Sequence, residues 1–274
     1  MPETPPPPTS DPTPHRRLFL GRLAAAVRRQ DWAAVVVEVL VVVLGVVIGF
    51  QVTAWGQGRA DRATEQTYLR QLAADLRETE RDLARVDSLM AEAERSSISL
   101  AVALRLATPP SRDSLVFWSS QLISQQMPNP VTGTAEALVA TGDLGLIRDD
   151  GLRSAISDYL ETVAYRQYIN RVIFEEHEKA ETELMSRLDW IEAVLAHPSF
   201  GVQAESLLQT VTGHGADDLV YRLALDAEFL MSDRGAVSAA TELMEQNIAL
   251  QIQRGVLRSY AAALRAQVEA EIER

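Results

Sequence analysis

Residues able to do chemistry are few and scattered in this chain. It has no cysteine, which removes disulfides, thiolate metal sites and cysteine nucleophiles together. The four histidines, His15, His177, His197 and His214, fall on an arm, a helix and two loops. Within "FEEHEKAE" only His177 and Glu181 set an imidazole and a carboxylate on one helix face at a ligand-like spacing. One such pair is a common accident on an acidic helix, and a metal needs more ligands than two. No HExxH, GxSxG, phosphate-binding glycine loop or paired C-x-x-C occurs. "TGHGADD" reads as a loop with an N-cap at Asp217 or Asp218. The expectation is therefore a chain with no catalytic residues, no metal and no cofactor, and not an enzyme.

Two further sets have a chemical reading. Arg148, Arg153 and Tyr159 can bind an anionic ligand or tie neighbouring helices together, the second being the commoner use of such residues. Glu38 is a carboxylate inside the apolar run "AAVVVEVLVVVLGVVIGFQVTAW". At 100° per residue it shares a narrow helix stripe with Gly45, Gly49 and Gly56. "GVVIG" is a small-xxx-small motif, where missing side chains admit a second helix and a polar group finds a partner away from lipid. Glu38 has three readings: part of a transmembrane helix–helix interface, a carboxylate tolerated near the headgroups, or a proton relay.

The element that must carry this stripe is a membrane span. From Trp32 to Trp55 is roughly 35 Å of helix, matching a hydrocarbon core of about 30 Å plus part of each interface. The two tryptophans fall where amphipathic rings anchor. Fourteen Val, Leu, Ile or Phe residues lie between them. They contribute on the order of 4 to 8 kcal/mol to insertion, against about 2.5 to 3.5 for one central carboxylate. Insertion survives Glu38. A cleaved signal peptide is the rival reading, with Val39 to Phe50 as its core and Val52-Thr53-Ala54 as its cleavage site.

Charge is polarised across the span. Residues 1–30 carry five arginines against Glu3 and Asp11, a net +3, and the remainder carries −15 of the −12 total. The arm is a disordered proline-rich stretch followed by a basic segment, either a helix on the anionic leaflet or a topology signal. Positive-inside counting favours the cytoplasm for it and places residues 56–274 on the outer side of the membrane, in the periplasm if the cell has an outer membrane. So acidic a domain does not suit nucleic acid.

Beyond Trp55, Leu69, Leu76, Leu83, Met90 and Leu104 mark one heptad position and Leu72, Val86, Ala93 and Leu100 the other, interrupted by Thr79 and Ser97. Pro109-Pro110 stops this helix. Short helices are expected over "SRDSLVFWSSQLISQQM" and "TAEALVATG", the latter capped by Gly142. A long helix is expected from Leu152 to about Ala196, capped by Asp149 or Asp150, with Leu160 and Ile191 among its buried residues. Two short helices follow, at about 203–211 and 217–231. A last long helix, Val237 to Ile272, is expected to bury Met244, Ile248, Ile252, Val256, Tyr260, Leu264 and Val268. The fold class is all-α: a transmembrane helix at 31–55, then an elongated antiparallel helical bundle with coiled-coil-like long helices.

"VEVLVVVLGVVIGFQVTAWGQGRADR", "YLRQLAADLRETERDL" and "ALVATGDLGLIRDDGLRSAISDYL" together resemble a family of uncharacterised bacterial single-span membrane proteins. That family's span carries a glutamate, a glutamine and a tryptophan, matched by Glu38, Gln51 and Trp55. Its second motif is matched by Leu138, Gly142, Leu144, Leu146, Ile147, Leu152 and Arg153, with Thr141 and Asp149 as departures that keep a capping side chain. The resemblance covers most of residues 32–165, implies a membrane-anchored helical protein and supplies no activity.

The function expected from these readings is a scaffold or interaction protein of the cell envelope, with the bilayer and a second copy or another membrane protein as partners. A sensory or ligand-binding ectodomain is the alternative. No second span is read before the closing "QVEAEIER", so a signal would have to pass through the basic arm.

Overall fold

The computed structural model describes residues 32–123, 125–188, 190–199, 201–219 and 226–274. The proline-rich and basic arm lies outside them. Every regular element among the described residues is helical: α1 (Trp32–Ala103), α2 (Arg112–Gln121), α3 (Gly133–Thr141), α4 (Asp150–Met185), α5 (Trp190–Ala196), α6 (Gly201–Thr212), α7 (Ala227–Ser232) and α8 (Arg234–Ile272), with 3₁₀ turns at Asp143–Leu146 and Ala216–Asp218. The chain divides into two compact units, residues 1–62 and 63–274.

In the first unit the apolar side chains from Val36 to Trp55 all stand exposed, at 45–78%. This helix is long and apolar enough to cross a membrane, and none of its apolar window is buried.

In the second unit the heptad seam of α1 is buried throughout, from Leu69 to Leu104, including Thr79 and Ser97. Local chemistry starts and stops the other helices. The Ser111 hydroxyl accepts from Ser114 N at 3.2 Å, Asp149 Oδ1 from Leu152 N at 2.9 Å, and Asp233 Oδ1 from Gly235 N at 2.7 Å. Gly142 closes α3 at φ 81°, the left-handed conformation that glycine adopts without steric cost. The polar flanks of α1 bind the chain between α2 and α4. Asp82, Thr79, Asp75 and Glu65 accept in turn from the backbone N–H of Asn129, Val131, Thr134 and Arg148 at 2.7–3.1 Å. Thr79, a break in the apolar seam, is thus a buried acceptor for Val131.

Two apolar clusters form the core. One unites Leu69, Leu76 and Leu83 of α1, Leu138 of α3, Ile156 and Tyr159 of α4, and Leu257 and Leu264 of α8. The other unites Leu100 of α1 and Leu104 just past its end, Leu115 of α2, Leu184 of α4, Leu230 of α7, and Ala236 and Leu243 of α8. The first cluster comes earlier in sequence on α1 and α4, and later on α8. Ion pairs between α1 and α8 run in the same reversed order: Glu80–Arg265 at 2.8 Å, Asp87 with Arg258 and, at 2.6 Å, with Arg254, and Glu94 with Arg254.

Three sequence expectations are corrected. The helix expected to run from 152 to 196 ends at Met185, turns through Ser186–Leu188 and resumes as α5, where Ile191 is exposed; Leu160 is half-buried. The segment 217–231 holds only a 3₁₀ turn and the short α7 among its described residues. On α8 the buried face is Leu243, Asn247, Leu250, Arg254, Leu257, Ala261, Leu264 and Val268, while Ile248, Ile252 and Tyr260 are exposed. The reason is geometric. Residues spaced strictly by four advance 40° per step on a 100° helix, so the series from Met244 to Tyr260 winds around α8. Alternating steps of three and four hold one side.

Candidate functional site

A polar belt lies between the two apolar clusters in the sequence of each long helix: Asp87, Glu94, Ser96 and Ser97 on α1, Asn170 and His177 on α4, Asn247 and Arg254 on α8. His177 is fully buried. The Gln125 Nε2 amide, beyond the end of α2, donates to Asn247 Oδ1 at 2.8 Å and meets His177 Nε2 at 3.0 Å. An amide nitrogen only donates, so the imidazole Nε2 accepts and the ring proton sits on Nδ1. His177 Nδ1 has no hydrogen-bond partner; Glu181 Oε2 is 3.9 Å away. Asn170 Oδ1 and Asn247 Nδ2 are likewise buried without partners.

Burial sets the protonation of this pair. Removing the ring from water lowers the His177 pKa to about 4, and burial followed by the nearby Glu178 charge raises Glu181 to about 7. His177 is therefore neutral at pH 7 and Glu181 titrates there. With its proton on Nδ1 and Nε2 occupied by the Gln125 amide, the neutral imidazole has no free lone pair for a Glu181 proton, and two groups do not make a metal centre. Among the described residues no group of three His, Asp or Glu is placed to hold a metal ion. His197 is buried, accepting from Ser199 N at 3.1 Å, and His214 is exposed, 3.8 Å from Asp218; neither joins the belt, and His15 is outside the described residues.

Arg148, Arg153 and Tyr159 do not converge on an open site. The Arg148 backbone N–H donates to Glu65 and its guanidinium lies 3.5 Å from the same carboxylate. Arg153 donates to the Ile147 carbonyl at 2.6 Å and pairs with Asp150, closing the turn before α4. Tyr159 is buried in the first cluster, and burial raises its phenol pKa.

In the first unit, Glu38 and Gly45, Gly49 and Gly56 lie on exposed helix. A Cβ added at any of the three glycines meets nothing within 4 Å. Trp55 is exposed with Arg59 over its ring at 5.7 Å; the Trp32 side chain is outside those described.

The belt escaped sequence reasoning because its partners are far apart in the chain: Gln125 is 52 residues from His177 and 122 from Asn247. Asn170, His177 and Asn247 do fall on the core faces of their helices once the three-four alternation is used, and that signal was legible. No family model, no curated protein and no solved structure matches the chain.

Proposed function

We propose that this protein is a membrane-anchored helical scaffold or interaction protein of the bacterial cell envelope. In this reading α1 crosses the inner membrane over residues 31–55, with the basic arm in the cytoplasm. Residues 56–274 form an antiparallel, coiled-coil-like helical bundle on the other side. One observation carries it: α1 exposes every large apolar side chain from Val36 to Trp55, on all sides of the helix, whereas from Leu69 onward it buries an apolar seam along one side. Apolar surface costs about 25 cal/mol per Å² in water, whereas lipid accepts it without cost, so the exposed stretch is suited to a bilayer. The reversed order of partners on α1 and α8 supports the antiparallel bundle. The family resemblance of residues 32–165 belongs to the same proposal.

The open faces of Gly45, Gly49 and Gly56 beside Glu38 support assembly through the span, as a homo-oligomer or with another membrane protein. Two tests separate the parts. Full-length protein is expected to stay in the membrane pellet after carbonate washing, and its release would end the anchor. Gly45→Ile with Gly49→Ile is expected to abolish self-association in a membrane two-hybrid assay while leaving the pellet fraction unchanged; unaltered association would remove the stripe.

A ligand-binding ectodomain is the second reading, favoured by the unpartnered polar atoms of the belt. Isothermal titration with small polar metabolites, on wild type and on Asn247→Leu, tests it; heat that vanishes in the variant would favour this reading over the scaffold.

A further inference from the structure

Some carboxylates of the domain are paired and others are not. On α1 and α8 the carboxylates Glu80, Asp82, Asp87, Glu94, Glu269 and Glu271 each have an arginine partner. On α4, Asp158 and Glu161 are exposed and make neither an ion pair nor a hydrogen bond among the described residues. Beside them stand two exposed tyrosines, Tyr165 (57%) and, across the α4–α8 contact, Tyr260 (46%), with Tyr168 (62%) further along α4. Asp158, Glu161, Thr162, Tyr165, Arg166 and Tyr260 line one open groove.

The groove's own cation is engaged through one terminal nitrogen and its π contact, while its Nε has no hydrogen-bond partner. Arg166 lies over the Tyr165 ring at 5.5 Å and donates to Gln253 at 2.7 Å, turned toward α8. Neither carboxylate forms an ion pair with it, and both stand next to aromatic faces. Tyr165 and Tyr260 each leave about half of the side chain open to solvent at the groove, so an aromatic face is available beside the carboxylates.

We propose that the outer α4–α8 face, where Tyr165 and Tyr260 flank the unpaired Asp158 and Glu161, docks an arginine-bearing segment of a partner protein. Guanidinium suits this setting better than ammonium. It is planar, so it stacks on a tyrosine face while forking two hydrogen bonds to a carboxylate, and it is the more weakly hydrated cation. A bare apolar partner would leave both carboxylates stranded, and an acidic one would be repelled. The inference rests on the interaction reading and names its surface, because the apolar seam of α1 is consumed inside the domain.

The test uses full-length protein in detergent micelles and fluorescein-labelled hepta-arginine and hepta-lysine peptides, followed by anisotropy at 150 mM salt. Hepta-arginine is expected to bind on the order of fivefold tighter than hepta-lysine. Asp158→Asn with Glu161→Gln is expected to weaken it about tenfold, and Tyr165→Ala with Tyr260→Ala about fivefold. A charge-matched control, Glu78→Gln with Glu92→Gln on α1, is expected to leave the arginine preference intact. Equal binding of the two peptides, or equal losses in the groove and control variants, would overturn the proposal, since bulk attraction to an acidic protein would then explain the binding. A photo-crosslinker at position 168 that captures only a second copy would also overturn it, assigning the face to self-association. Carbonate extraction of the same variants reports the anchor separately, so a failed groove and a failed membrane reading remain distinguishable.

Discussion

The α1–α8 interface and the α4–α8 neighbourhood of His177 solve one problem in opposite ways. Both place charged or polar groups in the interior of the second unit. Arg254, almost wholly buried, is answered by two carboxylates, Asp87 and Glu94, so its charge is retained. His177, fully buried, is answered by one amide and stays neutral, leaving Nδ1 without a partner. The difference separates a polar site that holds two helices in register from one whose hydrogen bonding is left incomplete. Unfilled polar atoms cost stability, so the His177 side is the weaker joint between two well-packed apolar clusters.

The largest expected effects are in those clusters. Leu83→Ala in the first and Leu243→Ala in the second are each expected to cost about 3 kcal/mol, the usual result of removing buried methyl groups and leaving a cavity. Urea unfolding of the singles and the double measures it. With no shared neighbours the losses should add. If the belt is a weak joint, Leu243→Ala should also split the single transition in two; one cooperative transition in every variant would show the belt transmits as well as the apolar clusters do.

Next comes Arg254→Met. Removing the cation strands Glu94 and leaves Asp87 to Arg258 alone. Breaking a buried ion pair from one side costs about 3–5 kcal/mol; the partial exposure of Asp87 reduces the expectation here to about 2 kcal/mol, read as a shift in the urea midpoint.

The pH dependence of stability sharpens the contrast further. For His177 the folded pKa of about 4 lies below its ordinary 6.5, so its contribution is lost as pH falls from 6.5 toward 4. For Glu181 the folded value of about 7 lies above 4.5, so its contribution is lost as pH rises from 4.5 to 7. Between pH 4.5 and 6.5 folding moves a proton from His177 to Glu181 and the two slopes oppose each other. Glu181→Gln is expected to expose the histidine alone, with stability rising with pH by up to about 1.4 kcal/mol per unit between 4 and 6.5. His177→Asn should give the opposite slope, falling between 4.5 and 7. Flat profiles in both, from urea unfolding at stepped pH, would show that water reaches the pair.

How much of this was legible in the sequence depended on whether spacing alone carries the signal. The α1 seam was, because its residues alternate by three and four over five heptads and every one is buried. The cap at Gly142 was, and that of α4 was to within one residue, Asp149 or Asp150, because caps act within a few residues. The α8 stripe was misread because a run of fours looks periodic while winding around the helix. The break after Met185 was invisible: "MSRLDW" has neither proline nor glycine. There Arg187 reaches the Asp233 cap of α8 at 3.1 Å, a contact 46 residues away in the chain. The pairing inside the belt is hidden for the same reason, since no local rule joins Gln125 to Asn247.

The smallest net effect is expected where the polar belt is removed entirely. Asn247→Leu alone takes away one of the two acceptors of the half-buried Gln125 amide, and a stranded donor there costs about 1 kcal/mol or more. Gln125→Leu, His177→Leu and Asn247→Leu together strand nothing, and they fill the gap between the clusters with apolar volume. The triple variant should therefore unfold within about 1 kcal/mol of wild type, on either side, despite changing three residues where the single variant changes one. A triple variant that loses as much as the sum of its singles would mean that the hydrogen bonds themselves stabilise the domain. It would also remove the contrast with Arg254, whose carboxylates cannot be silenced by deleting the cation alone.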